Sequence, residues 1–245
     1  MKRTHIHCLT IAGHDPSDGA GLSSDVQTFQ CIGVPSLSVC TSITFQNDDE
    51  FESVDWLPIE SIQHQLKMLL GTYTIGAIKI GLIENLSVLK TVLTTIDHHY
   101  GTSKKPVIVW DPILSASAGF QFHKDVSTID LQSVLQNVDL VTPNIPESEV
   151  LFPNATWEKG EDLPCSVLLK GGHGSGEESK DVLFHADQMI LYSAKRIAVK
   201  KHGTGCILSA AICAYLAQGK AMHFAAQYAK DYLHKELLAL ASIKP

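Results

Sequence analysis

Residues 202–206 read His-Gly-Thr-Gly-Cys and lead into an apolar run without proline or internal glycine, which is typical of a helix. The first N–H groups of a helix have no partner within it, and its dipole places partial positive charge there. Such an end binds phosphate or an oxyanion. We predict that Gly203, Thr204 and Gly205 surround an anion. We also predict that the Cys206 thiol, in the first turn, has a pKa lowered toward thiolate. The alternative is a small residue that packs beneath the start of a helix.

Two carboxylates follow predicted strands and could hold a metal ion. Asp111 precedes Pro112 after one strand, and Glu147 lies in the Pro-Asn-Ile-Pro-Glu stretch 143–147 after the next. Hydrated Mg²⁺ keeps several waters and takes few protein ligands, so one or two carboxylates suffice. Because both residues are expected at the same edge of a sheet, we predict a Mg²⁺ site there. Each could instead be a helix cap or a turn residue.

Three further segments offer groups for a small ligand. The loop 13–21 contains three glycines, which let the backbone approach a ligand closely, and leads to Asp25 in the next predicted helix. It is neither a P-loop nor a dinucleotide fingerprint. Gln46 offers a donor and an acceptor for the edge of a heterocycle. Lys170 precedes two glycines, where it could meet a nucleotide phosphate or simply end a strand.

The elements that must position these groups alternate along the chain between short apolar runs and longer amphipathic ones. We predict strands over residues 7–12, 36–44, 77–80, 107–110, 140–142 and 167–170, and a hairpin of 181–185 and 188–194. We predict helices over residues 24–32, 58–70, 85–98, 130–136, 146–151, 206–217 and 221–240.

This alternation predicts the fold class and the place of the site. It implies an α/β fold with a mainly parallel central sheet and helices on both faces. No internal repeat or flexible linker interrupts it, so we predict a single domain over residues 1–245. Ligands in such sheets bind beyond the carboxyl ends of the strands, which is where the residues named above are expected.

Composition narrows the range of functions. The 245 residues include 19 Lys and Arg against 26 Asp and Glu, for a net charge of -7. An acidic chain is a poor candidate for binding nucleic acid or anionic membranes. No apolar run approaches the ~20 residues of a membrane span, and no secretory signal is recognisable. Six cysteines without a Cys-x-x-Cys pair are typical of a reduced protein, so we expect a cytoplasmic location.

The motifs together resemble those of the hydroxymethylpyrimidine/phosphomethylpyrimidine kinases of thiamin biosynthesis, in the ribokinase-like superfamily. They occur in family order over nearly the whole chain. They are residues 9–13, 15–17, 19–21, 46–47, 78–81, 111–112, 142–144 with 147, 170–173, and 202–206 with 208–212. Cys206 makes the resemblance specific, because sugar kinases and the main pyridoxal kinases of the superfamily carry Asp at that position.

The resemblance implies a ribokinase-like fold and a phosphorylation that uses ATP and Mg²⁺. The implied acceptor is the hydroxymethyl group of 4-amino-5-hydroxymethyl-2-methylpyrimidine, and whether its monophosphate is also an acceptor stays open. The resemblance places Cys206 where the superfamily has its general base, and Gly203, Thr204 and Gly205 in the anion hole. It also implies a homodimer.

The remaining implied roles concern binding. The resemblance assigns contacts with the substrate to Gly13, Asp25 and Gln46, contacts with the nucleotide to Lys170 and Asn144, and the metal side to Asp111 and Glu147.

This sequence departs from the family pattern at several positions. Relatives usually carry Gly where this chain has Asp18, and commonly Lys where it has Ser117, which removes one phosphate contact. Residues 150–164 are shorter than the matching stretch in most relatives. The cysteine that traps pyridoxal in some relatives corresponds to Ala116 here.

Three alternative functions remain open. The first is a pyridoxal kinase of the same fold, because some family members with Gln at the position of Gln46 also act on pyridoxal. The second is a catalytically weak binding protein, which the departure at Ser117 suggests. The third is a metal-dependent hydrolase built on His5 and His7, whose spacing occurs in strand-borne metal sites.

Overall fold

The computed structural model describes residues 5–114, 128–158, 163–172, 176–199 and 201–243. Within these residues nine strands form one sheet, in the order β3-β2-β1-β4-β5-β6-β7-β8-β9. The strands are β1 (Ile6–His14), β2 (Ser36–Gln46), β3 (Phe51–Trp56), β4 (Thr74–Ile80), β5 (Val107–Trp110), β6 (Leu140–Val141), β7 (Ser166–Lys170), β8 (Glu178–His185) and β9 (Gln188–Lys195). In this spatial order, the pairs β2–β1, β1–β4, β4–β5, β5–β6 and β6–β7 are parallel. The β2–β3, β7–β8 and β8–β9 pairs are antiparallel.

Helices cover both faces of the sheet. They are α1 (Gly21–Cys31), α2 (Ile59–Leu70), α3 (Leu86–Tyr100), α4 (Thr128–Leu135), α5 (Ile145–Leu151), α6 (Thr204–Ala217) and α7 (Met222–Ile243). One apolar core joins the sheet to α2, α3 and α4, and a second joins it to α1, α6 and α7. Helix α6 lies between α1, α7 and the central strands, which explains why nearly all of its residues are buried and apolar.

The predicted fold class is confirmed, and each predicted strand and helix is present with small shifts at its ends. Strand β3 is the exception, because the sequence did not predict it. Three of its six residues, Phe-Glu-Ser-Val-Asp-Trp, are polar, and within the described sheet it pairs with β2 alone, at the edge. Its apolar residues do not alternate regularly with the polar ones, so the period-2 signal of a strand is weak.

The parallel strands bring their carboxyl ends to one edge of the sheet. Asp111 directly follows β5, and Asn144 forms an isolated parallel bridge with Lys170 at the end of β7. Residues that are far apart in the sequence therefore meet there, as the topology predicts. No helix in the described ranges is both long and apolar enough to cross a membrane.

The start of α6 packs directly against the loop that follows β1. Gly203 is the N-cap residue of α6 and has a left-handed φ of 78°. A Cβ atom at this position would lie 1.9 Å from the carbonyl oxygen of Gly19. Only glycine fits both the backbone conformation and this contact. The loop 13–21 and the turn 202–206 therefore lie side by side.

We expect Gly203→Ala to destabilise the protein more than Gly219→Ala. Gly219 has a φ of 82°, but nothing lies within 4 Å of the position that its Cβ would take. The Gly219 variant should lose about 1 kcal/mol from backbone strain alone, and the Gly203 variant roughly 1–3 kcal/mol more from overpacking. Urea denaturation of both measures the difference. Equal losses in the free energy of unfolding would contradict the tight contact with Gly19.

Candidate active site

A cavity of about 310 Å³ opens at the carboxyl edge of the sheet. Its size lies at the lower end of small-molecule sites, which span roughly 300–1,000 Å³. All the residues that the sequence predicts for a functional site, except Asp25, line it: Gly13, Gln46, Asp111, Asn144, Glu147, Lys170, Gly203, Thr204, Gly205 and Cys206.

The start of α6 presents backbone N–H groups to this cavity. In the described part of the chain, the N–H groups of Thr204, Gly205 and Cys206 have no acceptor, and no side chain caps the helix. Lys170 adds a full positive charge, because its Nζ lies 3.2 Å from the position that a Cβ of Gly205 would take. Orphan donors, the helix dipole and an ammonium group together suit phosphate or another oxyanion.

The Cys206 thiol lies on the cavity wall in the first turn of α6 and is 7% exposed. Burial raises its pKa to about 11; Asp111 and Asp25 add to this rise, while Lys79 and the Gly21 N–H oppose it. The predicted lowering of the thiol pKa is therefore wrong. Desolvation and two nearby carboxylates outweigh the effect of the helix start, so the thiol is protonated at neutral pH.

A fully buried ion pair lies behind the wall at this point. Asp25 and Lys79 contact each other, and both side chains are 0% exposed. Asp25 also accepts a 2.6 Å hydrogen bond from Thr10 Oγ1, and Lys79 Nζ lies 3.4 Å from the carbonyl oxygen of Cys206. Burial would lower the pKa of Lys79, but Asp25 raises it above its usual value, so Lys79 is charged. Asp25 was expected to contact the substrate, but it does not line the cavity. Through Lys79, the ion pair contacts the backbone of Cys206 instead.

Asp111 is the centre of a network of buried hydrogen bonds. Lys170 Nζ donates to its Oδ1 at 2.7 Å, and Thr142 Oγ1 donates to the same oxygen at 3.1 Å. Ser209 Oγ, from α6, lies 3.0 Å from its Oδ2. Burial would raise the pKa of Asp111, but Lys170 and Lys79 more than offset this and lower it. The network ties the end of β5 to the helix whose start faces the cavity.

Glu147 and Asn144 cap helix α5 reciprocally. Asn144 Oδ1 accepts a 2.9 Å hydrogen bond from the Glu147 N–H, and Glu147 Oε2 accepts a 2.8 Å hydrogen bond from the Asn144 N–H. This capping box is the structural role that the sequence left as an alternative for Glu147. Burial raises the pKa of Glu147 to about 7, against the lowering effect of Lys170.

The carboxylates suit a Mg²⁺ ion that accompanies phosphates. Asp111 and Glu147 line the same cavity, and both interact electrostatically with Lys170. No group of three or more His, Cys, Asp or Glu side chains that could hold a metal occurs among the described residues. Mg²⁺ is usually bound by one or two carboxylates, waters and substrate phosphates, so this pair fits that ion better than a cage made only of protein ligands.

The part of the cavity beside β1, β2 and β3 has a different character. Gly13 ends the buried part of β1, and a Cβ there would lie 2.5 Å from Ser42 Oγ, so only glycine leaves this space. Phe51 and Leu82 supply apolar surface. Gln46, at the end of β2, is half-buried, and within the described chain no partner is found for its amide. Apolar surface beside one free amide suits a small heterocycle.

Some predicted features lie elsewhere. Ser117, Ala116 and His173 are outside the described residues. His7 packs against Tyr73 at a ring distance of 5.0 Å, near the beginning of β1 and hence at the other edge of the sheet. The hydrolase alternative therefore has no third metal ligand beside His5 and His7 in the described ranges.

The sequence analysis assigned no individual role to Asp15, although this residue organises the loop 13–21. Its Oδ1 accepts hydrogen bonds from the Ser17 N–H at 2.9 Å and the Ser17 hydroxyl at 2.8 Å, and its Oδ2 accepts one from the Ala20 N–H at 2.9 Å. His202 Nε2 lies 3.4 Å from Oδ2, outside hydrogen-bond geometry. Asp followed two residues later by Ser is a signal for an Asx turn, which could have identified this role.

Asp15→Asn tests this organisation through its pH dependence. Burial would raise the pKa of Asp15, but His202 and the loop donors lower it to about 2. A carboxyl group with a lowered pKa stabilises the folded state above about pH 4 and loses this effect as the pH falls toward 2. The variant should lose about 2 kcal/mol of unfolding free energy at pH 7, and the difference from the unsubstituted protein should shrink between pH 5 and pH 3.

Urea denaturation across this pH range measures the effect. Asp55→Asn, on the exposed edge strand β3, is the matched control and should change little. A difference for Asp15→Asn that stays constant with pH would show that the charge of Asp15 does not hold the loop.

Comparison with known proteins agrees with this geometry. Residues 15–244 match the family described as phosphomethylpyrimidine kinase. The hydroxymethylpyrimidine/phosphomethylpyrimidine kinase of Escherichia coli K12 is 33% identical over 250 residues, covering 97% of this chain and 92% of the relative.

Solved structures show the same fold. The crystal structure of phosphomethylpyrimidine kinase from Clostridium difficile 630 matches with a TM-score of 0.78 at 30% identity, covering 95% of this chain and 99% of that one. The pyridoxal kinase from Staphylococcus aureus, solved in complex with pyridoxal, matches with a TM-score of 0.77 at 26% identity, covering 94% and 86%. These findings confirm the family resemblance and the ribokinase-like fold: the chain belongs to the phosphomethylpyrimidine kinase family.

Proposed function

We propose that this protein uses ATP to phosphorylate the hydroxymethyl group of 4-amino-5-hydroxymethyl-2-methylpyrimidine in thiamin biosynthesis. Family membership supports the type of reaction and the class of substrate. The observation that carries the proposal is the start of α6, where N–H groups without acceptors and Lys170 Nζ face one cavity. Phosphoryl transfer depends mainly on positioning and charge neutralisation, which this arrangement supplies.

The two parts of the cavity divide the substrates between them. We assign the pyrimidine ring to the part beside β1 and β2, with Gly13 beneath it and the Gln46 amide at its edge. We assign the nucleotide phosphates to the part beside β6 and β7, with Lys170 and Asn144. The turn 203–206 would then receive the phosphoryl group that passes between them.

The Cys206 sulfur would meet the alcohol of the substrate. In the reaction, the alcohol oxygen forms a bond to the γ-phosphorus, and the bond from this phosphorus to the β–γ bridging oxygen breaks, so ADP leaves with that electron pair. The alcohol proton is released, and we assign its acceptance to the thiolate form of Cys206. With a pKa of about 11, this form is scarce at neutral pH. The loose transition state lowers the need for early deprotonation.

Asp111 and Glu147 are the groups that we assign to a Mg²⁺ ion. When bound, Mg²⁺ neutralises phosphate charge. The chain itself contributes the nearby ammonium group of Lys170, whose pKa is raised: burial would lower it, but Asp111 and Glu147 outweigh burial. The ammonium group therefore stays charged in the cavity and balances the phosphates.

We also propose how the protein acts as a whole. Residues 1–245 form one kinase domain that works in the cytoplasm as a homodimer and binds neither nucleic acid nor membranes. The net charge of -7 supports the last point, since anionic partners would be repelled. Light scattering tests the dimer.

Pyridoxal is the second candidate acceptor. The likeness to the Staphylococcus aureus enzyme solved with pyridoxal favours it, because that protein shares the fold at 26% identity. Gln46 is compatible with either ring, since an amide offers both a donor and an acceptor.

An assay of ATP consumption across a panel of pyrimidine and pyridine alcohols tests the proposed function. We expect the highest kcat/KM for the hydroxymethylpyrimidine. A higher value for pyridoxal would establish the second candidate, and background turnover with every alcohol would favour a weak binding protein.

Cys206→Ala tests the role of the thiol. We expect kcat to fall by about 10²-fold or more, the range for loss of a general base, with the Kd for ADP nearly unchanged. The kcat of the unsubstituted enzyme should rise between pH 7 and pH 10, because the thiolate fraction grows toward a pKa of about 11, and this rise should be absent in the variant.

Cys213→Ala is the matched control, because Cys213 lies in the same helix and is fully buried but does not line the cavity. It should leave kcat and its pH profile unchanged. Unchanged turnover in Cys206→Ala would remove Cys206 from the chemistry.

A further inference from the structure

A second buried ion pair lies outside the cavity, between α7 and β8. Lys230 Nζ donates to Asp181 Oδ2 at 2.7 Å and to Ser179 Oγ at 2.9 Å. Asp181 is 3% exposed and Lys230 is 5% exposed. Charges buried to this degree are expensive unless they are paired, and such a pair often adds little to net stability. A contribution to the free energy of unfolding is therefore a weak explanation for why these two charges are buried here.

The second oxygen of Asp181 reaches the segment that follows Lys170. Asp181 Oδ1 accepts a 2.9 Å hydrogen bond from the backbone N–H of Gly171. Asp181 is also the residue opposite Lys170 in the antiparallel pairing of β7 and β8. Gly171 lies so close to β8 that a Cβ there would be 1.9 Å from the carbonyl oxygen of Lys180. The chain after Lys170 is thus fixed by a tight backbone contact and by one buried carboxylate.

Lys170 in turn supplies the charge at the phosphate side of the cavity. Its Nζ donates to Asp111 at 2.7 Å and lies beside Gly205 at the start of α6. A shift of the backbone at the end of β7 would move this ammonium group in the cavity, since Lys170 is the last residue of that strand.

We propose that Asp181 is a positioning residue for nucleotide binding, and that Lys230 holds its carboxylate toward Gly171. The carboxylate accepts the Gly171 N–H, fixes the backbone at the end of β7, and so places the Lys170 ammonium group at the phosphates. This inference rests on the proposed function, because it assigns the nucleotide phosphates to Lys170. Neither Asp181 nor Lys230 lines the cavity, so both act through Lys170.

Two double variants separate positioning from charge. Asp181→Asn with Lys230→Met removes both charges but keeps an acceptor oxygen for Gly171. Asp181→Leu with Lys230→Met removes the charges and the acceptor in a similar volume. We expect the first to bind ADP within about twofold of the unsubstituted protein, and the second to bind it about tenfold more weakly, as loss of one hydrogen bond predicts.

Calorimetric titration with ADP gives the Kd, and urea denaturation gives the stability of each variant. KM for ATP should rise in the Leu variant while KM for the alcohol stays unchanged. A merely structural role would lower the stability or the active fraction and leave the Kd for ADP unchanged. Equal ADP binding by both double variants, or equal weakening of both, would overturn the proposal.

Hydrogen exchange of the unsubstituted protein covers the case in which the Leu variant does not fold. The Gly171 N–H should be strongly protected, and rapid exchange would overturn the proposal. Failure of the unsubstituted protein to bind ADP is a different result, because it would contradict the proposed function while protection of Gly171 still tests the contact with Asp181.

Discussion

The rest of the site depends on the backbone N–H groups at the start of α6, for which the described residues offer no acceptor. Thr204 and Gly205 are half-buried and line the cavity, so their N–H groups are available to a ligand. Gly203 is pressed against Gly19, and Ser209 joins the first turns of the helix to Asp111. These two contacts hold the turn in place, and a phosphoryl group can satisfy its donors.

Two ion pairs lie close to that turn. Lys79 pairs with Asp25 behind the cavity wall, and Lys170 pairs with Asp111 on the wall. Cys206 lies among these four groups, and the high pKa of its thiol follows from burial near two carboxylates. A thiol at this position adds no negative charge at neutral pH beside an incoming nucleotide. We therefore assign most of the catalysis to cations and amides, and the acceptance of the alcohol proton to Cys206.

Much of the fold was predictable because it depends on apolar periodicity, and most of the site was predictable because parallel strands end at one edge. The strand β3 was missed because its apolar residues, Phe51, Val54 and Trp56, do not alternate regularly with polar ones. The buried ion pairs of Asp25 and Asp181 were not predictable for another reason: a buried charge is recognisable only through its partner, and Lys79 and Lys230 are distant in sequence. Asp18 is instructive as well, because its φ of 59° explains why the resemblance leads us to expect glycine there.

A crystal structure with a non-hydrolysable ATP analogue would locate the γ-phosphoryl group relative to the start of α6. We expect oxygens of the γ-phosphoryl group at hydrogen-bond distance, about 2.7–3.2 Å, from the N–H groups of Thr204 and Gly205 and from Lys170 Nζ. We also expect the Cys206 sulfur beside the open face of that group. A γ-phosphoryl group bound elsewhere, with the start of α6 facing only protein or solvent, would show that this turn does not hold the transferred group.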